Sequence, residues 1–255
     1  VQHMTTAGEA LNPEVYRQFE KATGLQIIEG FGQTESTMII GNMTGASHKI
    51  GSMGKPAPIY DVKLVDADGN EVPAGENGEI VVNVENGAPC GLFTGYYRDE
   101  AKTKEVIDEE GYFHSGDIGY IDEEGYIYIT GRSKNVIVTQ NGKNIYPEEI
   151  EVLIEKIPEV KEVMVYGKAP EGEQAKKKDS KELIITAKVV PNFDKIKELH
   201  GNISDEEIHS KIWEQIKQVN KKLTSYKAIK CLEIKKDEFE KTSTMKIKRY
   251  KEFSK

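Results

Sequence analysis

Several short stretches of this sequence carry side chains suited to holding a nucleotide or moving charge. Phe31-Gly32-Gln33-Thr34-Glu35 sets a hydroxyl and a carboxylate beside flexible backbone. Thr34 could hold a phosphate oxygen and Glu35 a divalent cation, because hard cations take oxygen ligands. The same residues would equally suit a helix N-terminus following a turn. Phe113-His114-Ser115-Gly116-Asp117 could set a carboxylate against a ribose diol, a pairing that dinucleotide sites use; otherwise Asp117 closes a turn after a strand. Arg132 could meet phosphate or ribose, or form a surface ion pair worth little. The run Lys241-Thr242-Ser243-Thr244-Met245-Lys246-Ile247-Lys248-Arg249 could deliver a cation, or be a solvated basic tail.

The elements that must position these residues fall into two patterns. Asn12-Pro13-Glu14 reads as a helix start, with Asn as N-cap and Pro at the first helical position, and Gly24 as its end. Residues 25–28 form a short strand feeding the glycine-bearing loop. From about residue 60 the hydrophobic period becomes two, predicting strands over 61–65, 79–84, 119–121 and 126–129. Asp68-Gly69, Asn77-Gly78 and Glu124-Gly125 read as their turns, and one short helix spans 100–106 behind an Asp99 cap. Many short strands with frequent turns predict a small barrel-like or sandwich subdomain over about 50–130. Beyond Gly131 helices and strands alternate. Tyr146-Pro147 starts a helix bounded by Pro158, and 160–166 and 183–190 are strands flanking a Lys-rich loop over 169–181. Ser204 with Glu207 is a capping box opening a helix that aligns Ile208, Ile212, Ile216, Val219 and Leu223 on one face. A strand over 230–234 and the basic tail complete a compact α+β unit.

Composition excludes several classes. The chain has 255 residues, 37% hydrophobic and 31% charged, which excludes disorder. Its apolar runs fall far short of the roughly 20 residues a membrane helix needs. Two distant cysteines, Cys90 and Cys231, exclude a disulfide scaffold or zinc ribbon and fit a reducing, cytoplasmic setting. The start has no signal-peptide pattern and reads as if cut from something longer. Residues 1–133 carry 9 Lys/Arg against 22 Asp/Glu, whereas 134–255 carry 26 against 21, so the chain predicts two units with different surfaces. The cations of the second unit either are simply well solvated or face polyphosphate; interleaved with acids and lacking an aromatic stripe, they argue against nucleic acid.

Taken in order, Phe-Gly-Gln-Thr-Glu, His-Ser-Gly-Asp, Gly-Arg-Ser-Lys, Gly-Lys-Asn-Ile-Tyr-Pro-Glu-Glu-Ile-Glu and Lys-Thr-x-x-x-Lys-Ile-x-Arg resemble the adenylate-forming, AMP-binding superfamily. Within it the sequence looks most like a bacterial fatty-acid or medium-to-long-chain acyl-CoA ligase. The resemblance implies α/β and α+β architecture: residues 1–132 as the C-terminal part of the large AMP-binding domain, and 133–255 as a mobile C-terminal domain hinged at Lys134. It also implies that the family's Ser/Thr/Gly-rich phosphate loop and most of the acyl pocket lie upstream of Thr5, so the chain is expected to be the C-terminal half of such an enzyme and inactive alone. Gly8, Glu9 and Ala10 would line the adenine pocket, Phe31 would stack on the ring, and Gly30 and Gly32 would be nucleotide-binding. Thr34 would bind phosphate, Glu35 Mg²⁺, and Asp117 the ribose hydroxyls, with Arg132 on the same nucleotide. Gly142, Lys143 and Asn144 would form the loop for thioester formation, and Lys246 would be the adenylation lysine. The implied activity is an ATP-dependent acid–thiol ligase forming acyl-AMP and then acyl-CoA, with ATP/AMP, Mg²⁺ and coenzyme A as cofactors and a small carboxylic acid as substrate. Loading of a carrier protein, or a non-catalytic nucleotide-binding fragment, are the alternatives. The sequence departs from the family at Met245, where glycine is usual, and in one extra residue between Arg132 and Gly142. The acid and the oligomeric state are not readable from it.

Overall fold

Pro13, whose ring presets a helical φ, begins α1 (Pro13–Thr23), and Tyr16 is the residue this helix buries. The structure is a computed structural model and describes residues 4–8, 11, 13–43, 45–170, 183–243 and 246–253. The expected Asn12 cap and most of the Lys-rich loop lie outside the described residues. The chain divides into two compact units, Val1–Lys134 and Asn135–Lys255.

The first unit holds two four-stranded sheets. In one, β1 (Met4–Thr6) runs parallel to β2 (Ile27–Gly32), and β3 (Met38–Gly41) and β4 (Lys55–Pro56) follow antiparallel. The turn after β2 therefore leads into another strand, not into the helix that Thr34 and Glu35 would also have suited. The other sheet is a meander of β5 (Val62–Val65), β6 (Gly78–Asn83), β7 (Tyr112–Ile121) and β8 (Ile127–Arg132), each antiparallel to the last. This is the form the β-rich subdomain takes. Among the described residues its outer strands, β5 and β8, are not paired with each other. One core serves both sheets: Ile39 and Ile40 of β3 cluster with Leu64, Ile80, Val82, Phe113 and Ile127. A bridge between Gly54 and Ile127 ties the sheets together.

Two local expectations need correction. The strand expected at 119–121 is only the end of the ten-residue β7, because Gly116, at φ +71°, interrupts the alternation that marks a strand. Asn77-Gly78 is not a hairpin turn. Gly78 begins β6, where a Cβ would lie 2.9 Å from the Val65 carbonyl oxygen. The short helix α2 (Glu100–Val106) forms as expected, with Asp99 accepting the Lys102 N–H.

The second unit is a three-stranded sheet packed with helices. Strand β9 (Ile137–Val138) pairs with β10 (Asn144–Ile145) in a small hairpin, then come α3 (Pro147–Ile154) and β11 (Val160–Lys168). Strand β12 (Ile184–Pro191) is central, antiparallel to β11 and parallel to β13 (Cys231–Ile234). Between them run α4 (Phe193–His200) and α5 (Asp205–Asn220), and the chain ends in α6 (Arg249–Phe253). Ile150 and Ile154 of α3 and Ile208, Ile212 and Ile216 of α5 cluster with Val163, Val165, Ile185, Ala187 and Val189 of the sheet. Each such Ile or Val side chain stabilises by roughly 1.5–3 kcal/mol when fully buried. The Ser204–Glu207 capping box has both of its hydrogen bonds. Leu223 lies past the end of α5 but still packs on this core. Helix α4 went unread because Ile196 is its single buried residue, too thin a stripe to show a period. Among the described residues no helix is long and apolar enough to cross a membrane.

Candidate functional site

Asp117 is presented by a bulge in β7. Val81 of β6 pairs with His114 and Glu79 with Ile118, so residues 115–117 exceed what β6 can match and bow outward. Glu79 accepts the Gly116 N–H at 3.0 Å, and the Asp117 N–H donates to the Ser115 hydroxyl at 3.1 Å. The Asp117 residue is 5% exposed. Its Oδ1 meets Nε of Arg132 at 2.8 Å, and its Oδ2 accepts Nε2–H of Gln33 at 2.6 Å. Arg132 stands directly across the ladder from Asp117 at the end of β8. A buried carboxylate needs such partners, and a cation with an amide supplies them.

Gln33 is the residue that sequence reasoning missed. Its amide also donates to the Ser115 carbonyl at 2.7 Å, so one side chain joins the loop after β2 to the bulge in β7. The signal was a polar amide inside Phe-Gly-Gln-Thr-Glu, eclipsed by its neighbours' more obvious chemistry. The loop itself is pinned. The Gln33 N–H donates to the Ser36 hydroxyl at 3.1 Å, Ser36 bridges Leu92, and the Glu35 carbonyl accepts the Phe93 N–H at 2.7 Å. Thr34 is exposed at the turn. The Glu35 carboxylate accepts the Tyr96 hydroxyl at 2.7 Å, and this bond, with burial, pushes the Tyr96 phenol up to about 12. Tyr96 is thus a fixed donor to Glu35, a second residue the sequence reading passed over.

The remaining nucleotide candidates sit on or near β2. Gly30 pairs with Gly41, and Phe31, half-buried, packs against the core of this unit. Gly32 ends the strand. Gly8 follows β1 at φ +97° and is exposed, while Glu9 and Ala10 lie outside the described residues.

Behind the bulge, His114 bridges two acids. One ring nitrogen lies 3.1 Å from Glu79 and the other 2.8 Å from Asp108. The bond to Glu79, with that to Asp108, outweighs partial burial and pushes the imidazole up to about 9. His114 is therefore an imidazolium at neutral pH, and it holds the same glutamate that grips Gly116.

In the second unit the candidates occupy two hairpins. Gly142, at φ +72°, lies in the β9–β10 loop, where its N–H donates to the Thr139 carbonyl. The Lys143 ammonium stands 4.5 Å from the centroid of the Tyr226 ring, and Asn144 begins β10. Lys246 is exposed on a hairpin closed by a Lys241–Ile247 bridge. The Thr242 N–H donates to the Lys246 carbonyl at 2.8 Å, and the Lys246 N–H to the Thr242 hydroxyl at 3.1 Å. Thr244 and Met245 lie outside the described residues. The basic tail is not simply solvated: Lys248 and Lys251 both reach Glu240, at 2.7 and 2.6 Å. Lys134 is exposed in the one-turn 3-10 helix Ser133–Asn135 and is the last residue of the first unit.

Known proteins resemble this chain in sequence and in fold. Residues 1–97 match the family of AMP-binding enzymes, and residues 134–255 match the AMP-binding enzyme C-terminal domain. Over 165 residues the chain is 42% identical to the mitochondrial acyl-coenzyme A synthetase ACSM3 of Mus musculus, which covers 65% of this chain and 28% of that protein. It is 43% identical over 165 residues to 4-hydroxybutyrate–CoA ligase 1 of Metallosphaera sedula, again covering 28% of the relative. The fold superposes on an anthranilate CoA ligase solved in complex with anthranoyl-AMP, with a TM-score of 0.76 and 28% identity, over 100% of this chain and 44% of the other. The chain thus spans less than half the length of the relatives it matches. Two AMP-binding family matches, one in each unit, together with a solved fold that covers the chain from end to end, show that it belongs to the adenylate-forming superfamily of AMP-binding enzymes.

Proposed function

We propose that this chain supplies the ribose-binding, cation-binding and lysine-bearing parts of an ATP-dependent carboxylic acid–CoA ligase. The observation that carries the reading is the buried Asp117 carboxylate, fixed between Gln33 and Arg132 on the bulge of β7. Such a carboxylate receives the paired hydroxyls of a ribose, and Arg132 beside it adds a charge-assisted contact to the same nucleotide. Thr34, exposed on its pinned turn, faces phosphate.

Glu35 would hold Mg²⁺. Among the described residues no three His, Cys, Asp or Glu side chains come together as a metal cage. A single carboxylate fits magnesium, which is held by one or two carboxylates while substrate phosphates and water complete its shell. Bound there, the ion would neutralise charge on the phosphates. The chain's own part is to hold Glu35 through Tyr96 and to keep the turn in place.

In the first half-reaction a carboxylic acid attacks the α-phosphate, giving acyl-AMP and pyrophosphate. Lys246 meets the charge that builds on the phosphoryl oxygens. The 133–255 region then turns about Lys134, withdrawing Lys246 and bringing the Gly142-Lys143-Asn144 loop to the site, where the thiol of coenzyme A attacks the acyl carbon of acyl-AMP, forming the thioester as the acyl–phosphate bond breaks and AMP leaves. A unit boundary immediately after Lys134 supports this hinge. The names of the relatives favour coenzyme A over a carrier protein as acceptor. A cytoplasmic setting completes the reading, supported by two free cysteines, Cys90 and Cys231.

The test is Asp117→Ala in the intact protein. ATP should bind about ten- to a hundredfold more weakly by calorimetry, at about 1.4 kcal/mol per decade, with the fold retained. Unchanged ATP affinity would remove Asp117 from the site and with it the observation on which the reading rests.

A further inference from the structure

The hairpin that carries Lys246 has few residues, and a hairpin of this size is marginal by itself in water. Its place must come from what grips it, and the grips are two glutamates on neighbouring elements. On the outgoing side, Arg249 follows Lys246 by three residues. Its guanidinium reaches both carboxylate oxygens of Glu151 on α3, each at 2.6 Å, and donates to the Val165 carbonyl at 2.9 Å. Glu151, 8% exposed, also accepts the Val165 N–H, so this pair is bolted to β11 from both partners. On the incoming side, Lys241 precedes Lys246 by five residues and donates to Glu162, which is also 8% exposed and accepts the Phe239 N–H at 2.8 Å. Between the grips, Ile247 packs against Met164, Val190 and Phe239.

We propose that Glu151 and Arg249, seconded by Glu162 and Lys241, are positioning residues for Lys246. They touch no substrate and act by fixing the hairpin that delivers the ammonium. A guanidinium that grips a carboxylate with Nη2 and a backbone carbonyl with Nη1 fixes orientation as well as distance, whereas one point contact leaves the hairpin free to swing. The inference rests on the reading of Lys246 as the adenylation lysine.

Arg249→Lys in the intact protein is the decisive variant, because it keeps the charge and removes the fork. Glu151→Gln and Glu162→Gln are its partners, and melting temperature is followed for each so that loss of fold is recognised. Acyl-AMP formation is read as pyrophosphate release, and thioester formation is read separately from preformed acyl-AMP. Arg249→Lys should slow the first step about 10- to 100-fold, the cost of a displacement of about 1 Å, and leave the second step little changed. In a Lys246→Ala background the same substitution should add almost nothing, since it acts through Lys246. A purely structural role would cost both half-reactions alike and would cost the same with or without Lys246; either result overturns the proposal, as does full adenylation by Arg249→Lys. If Lys246→Ala alone leaves acyl-AMP formation intact, the reading of Lys246 falls and the proposal with it. That outcome is told apart from failure of the anchor alone, in which Lys246→Ala is crippled and Arg249→Lys is not.

Discussion

Asp117 in the first unit and Lys246 in the second both project from irregular backbone, one from a strand bulge and the other from a short hairpin, and each piece is pinned by a glutamate from a neighbouring element. Glu79 grips the bulge and Glu151 the hairpin. The cation behind each glutamate differs. Glu79 is backed by His114, with side chains 22% and 29% exposed; Glu151 is backed by Arg249, at 11% and 18%. An imidazolium can lose its proton in the working range of pH, and a guanidinium cannot. The cation of the first anchor can therefore be discharged by raising the pH and that of the second cannot, and the second, more buried, is the more expensive to break.

The sharpest way to break this comparison is to delete each glutamate. Glu151→Ala leaves the Arg249 guanidinium beside α3 with Glu148, 3.7 Å away, as its remaining carboxylate, so the loss should sit at the low end of the about 3–5 kcal/mol for a broken buried pair. Glu79→Ala removes the acceptor of one backbone N–H and one imidazole at a wetter site and should cost about 1–3 kcal/mol. Trp213, the single tryptophan, lies in α5, so its fluorescence during urea unfolding follows the second unit, while circular dichroism follows the whole chain. Equal losses for the two variants would show that burial does not separate the anchors.

The pH dependence comes next in size. In the fold His114 is pushed from 6.5 up to about 9, so the folded state binds its proton more tightly than the unfolded chain does. The resulting stabilisation is complete below about pH 6.5 and is lost as pH rises towards 9, about 2 kcal/mol after discounting the full shift for partial solvent exposure. Burial pushes the Glu151 carboxyl from 4.5 up to about 7, although Arg249 pulls the other way. Its stability effect therefore changes between about pH 4.5 and 7 and is flat above that. Thermal melts between pH 7.5 and 9 should show the wild-type chain losing stability and His114→Gln losing much less. Identical slopes in the two proteins would detach His114 from the anchor.

The sequence made one part of this picture legible and hid the other. Helix starts with strong local chemistry could be read: Asp99 and Ser204 cap as their spacing says, and Pro147 opens α3. The ordered motifs also singled out Arg132, which the fold sets across from Asp117, but neither Gln33 nor Glu79. The bulge stayed hidden because its cause is a mismatch of register between β6 and β7, and one strand's sequence does not contain its partner's register. For the same reason Arg249 looked like one more cation in a basic tail. Its partner is 98 residues away on another element, and only the fold shows that a charge run ends in a buried ion pair.

The smallest effect is expected at Gln33, and it tests how far the first anchor extends. One amide nitrogen donates to both the Asp117 carboxylate and the Ser115 carbonyl, across the gap between the two sheets of this unit. Gln33→Met keeps the length of the side chain and removes both donations. Arg132 still holds the other carboxylate oxygen and Glu79 still holds Gly116, so the bulge should survive. What is lost is one fixed direction of the carboxylate, worth about 1 kcal/mol, less than the about 1.5–3 kcal/mol of a net hydrogen bond to a charged group because Arg132 still holds the other oxygen. ATP affinity of the intact protein should then fall about fivefold by calorimetry, well short of the loss for Asp117→Ala. A loss as large as that of Asp117→Ala would mean that Gln33 itself touches the nucleotide. No loss at all would mean that Arg132 and the bulge aim the carboxylate by themselves, and that Gln33 serves only to tie the loop to the meander.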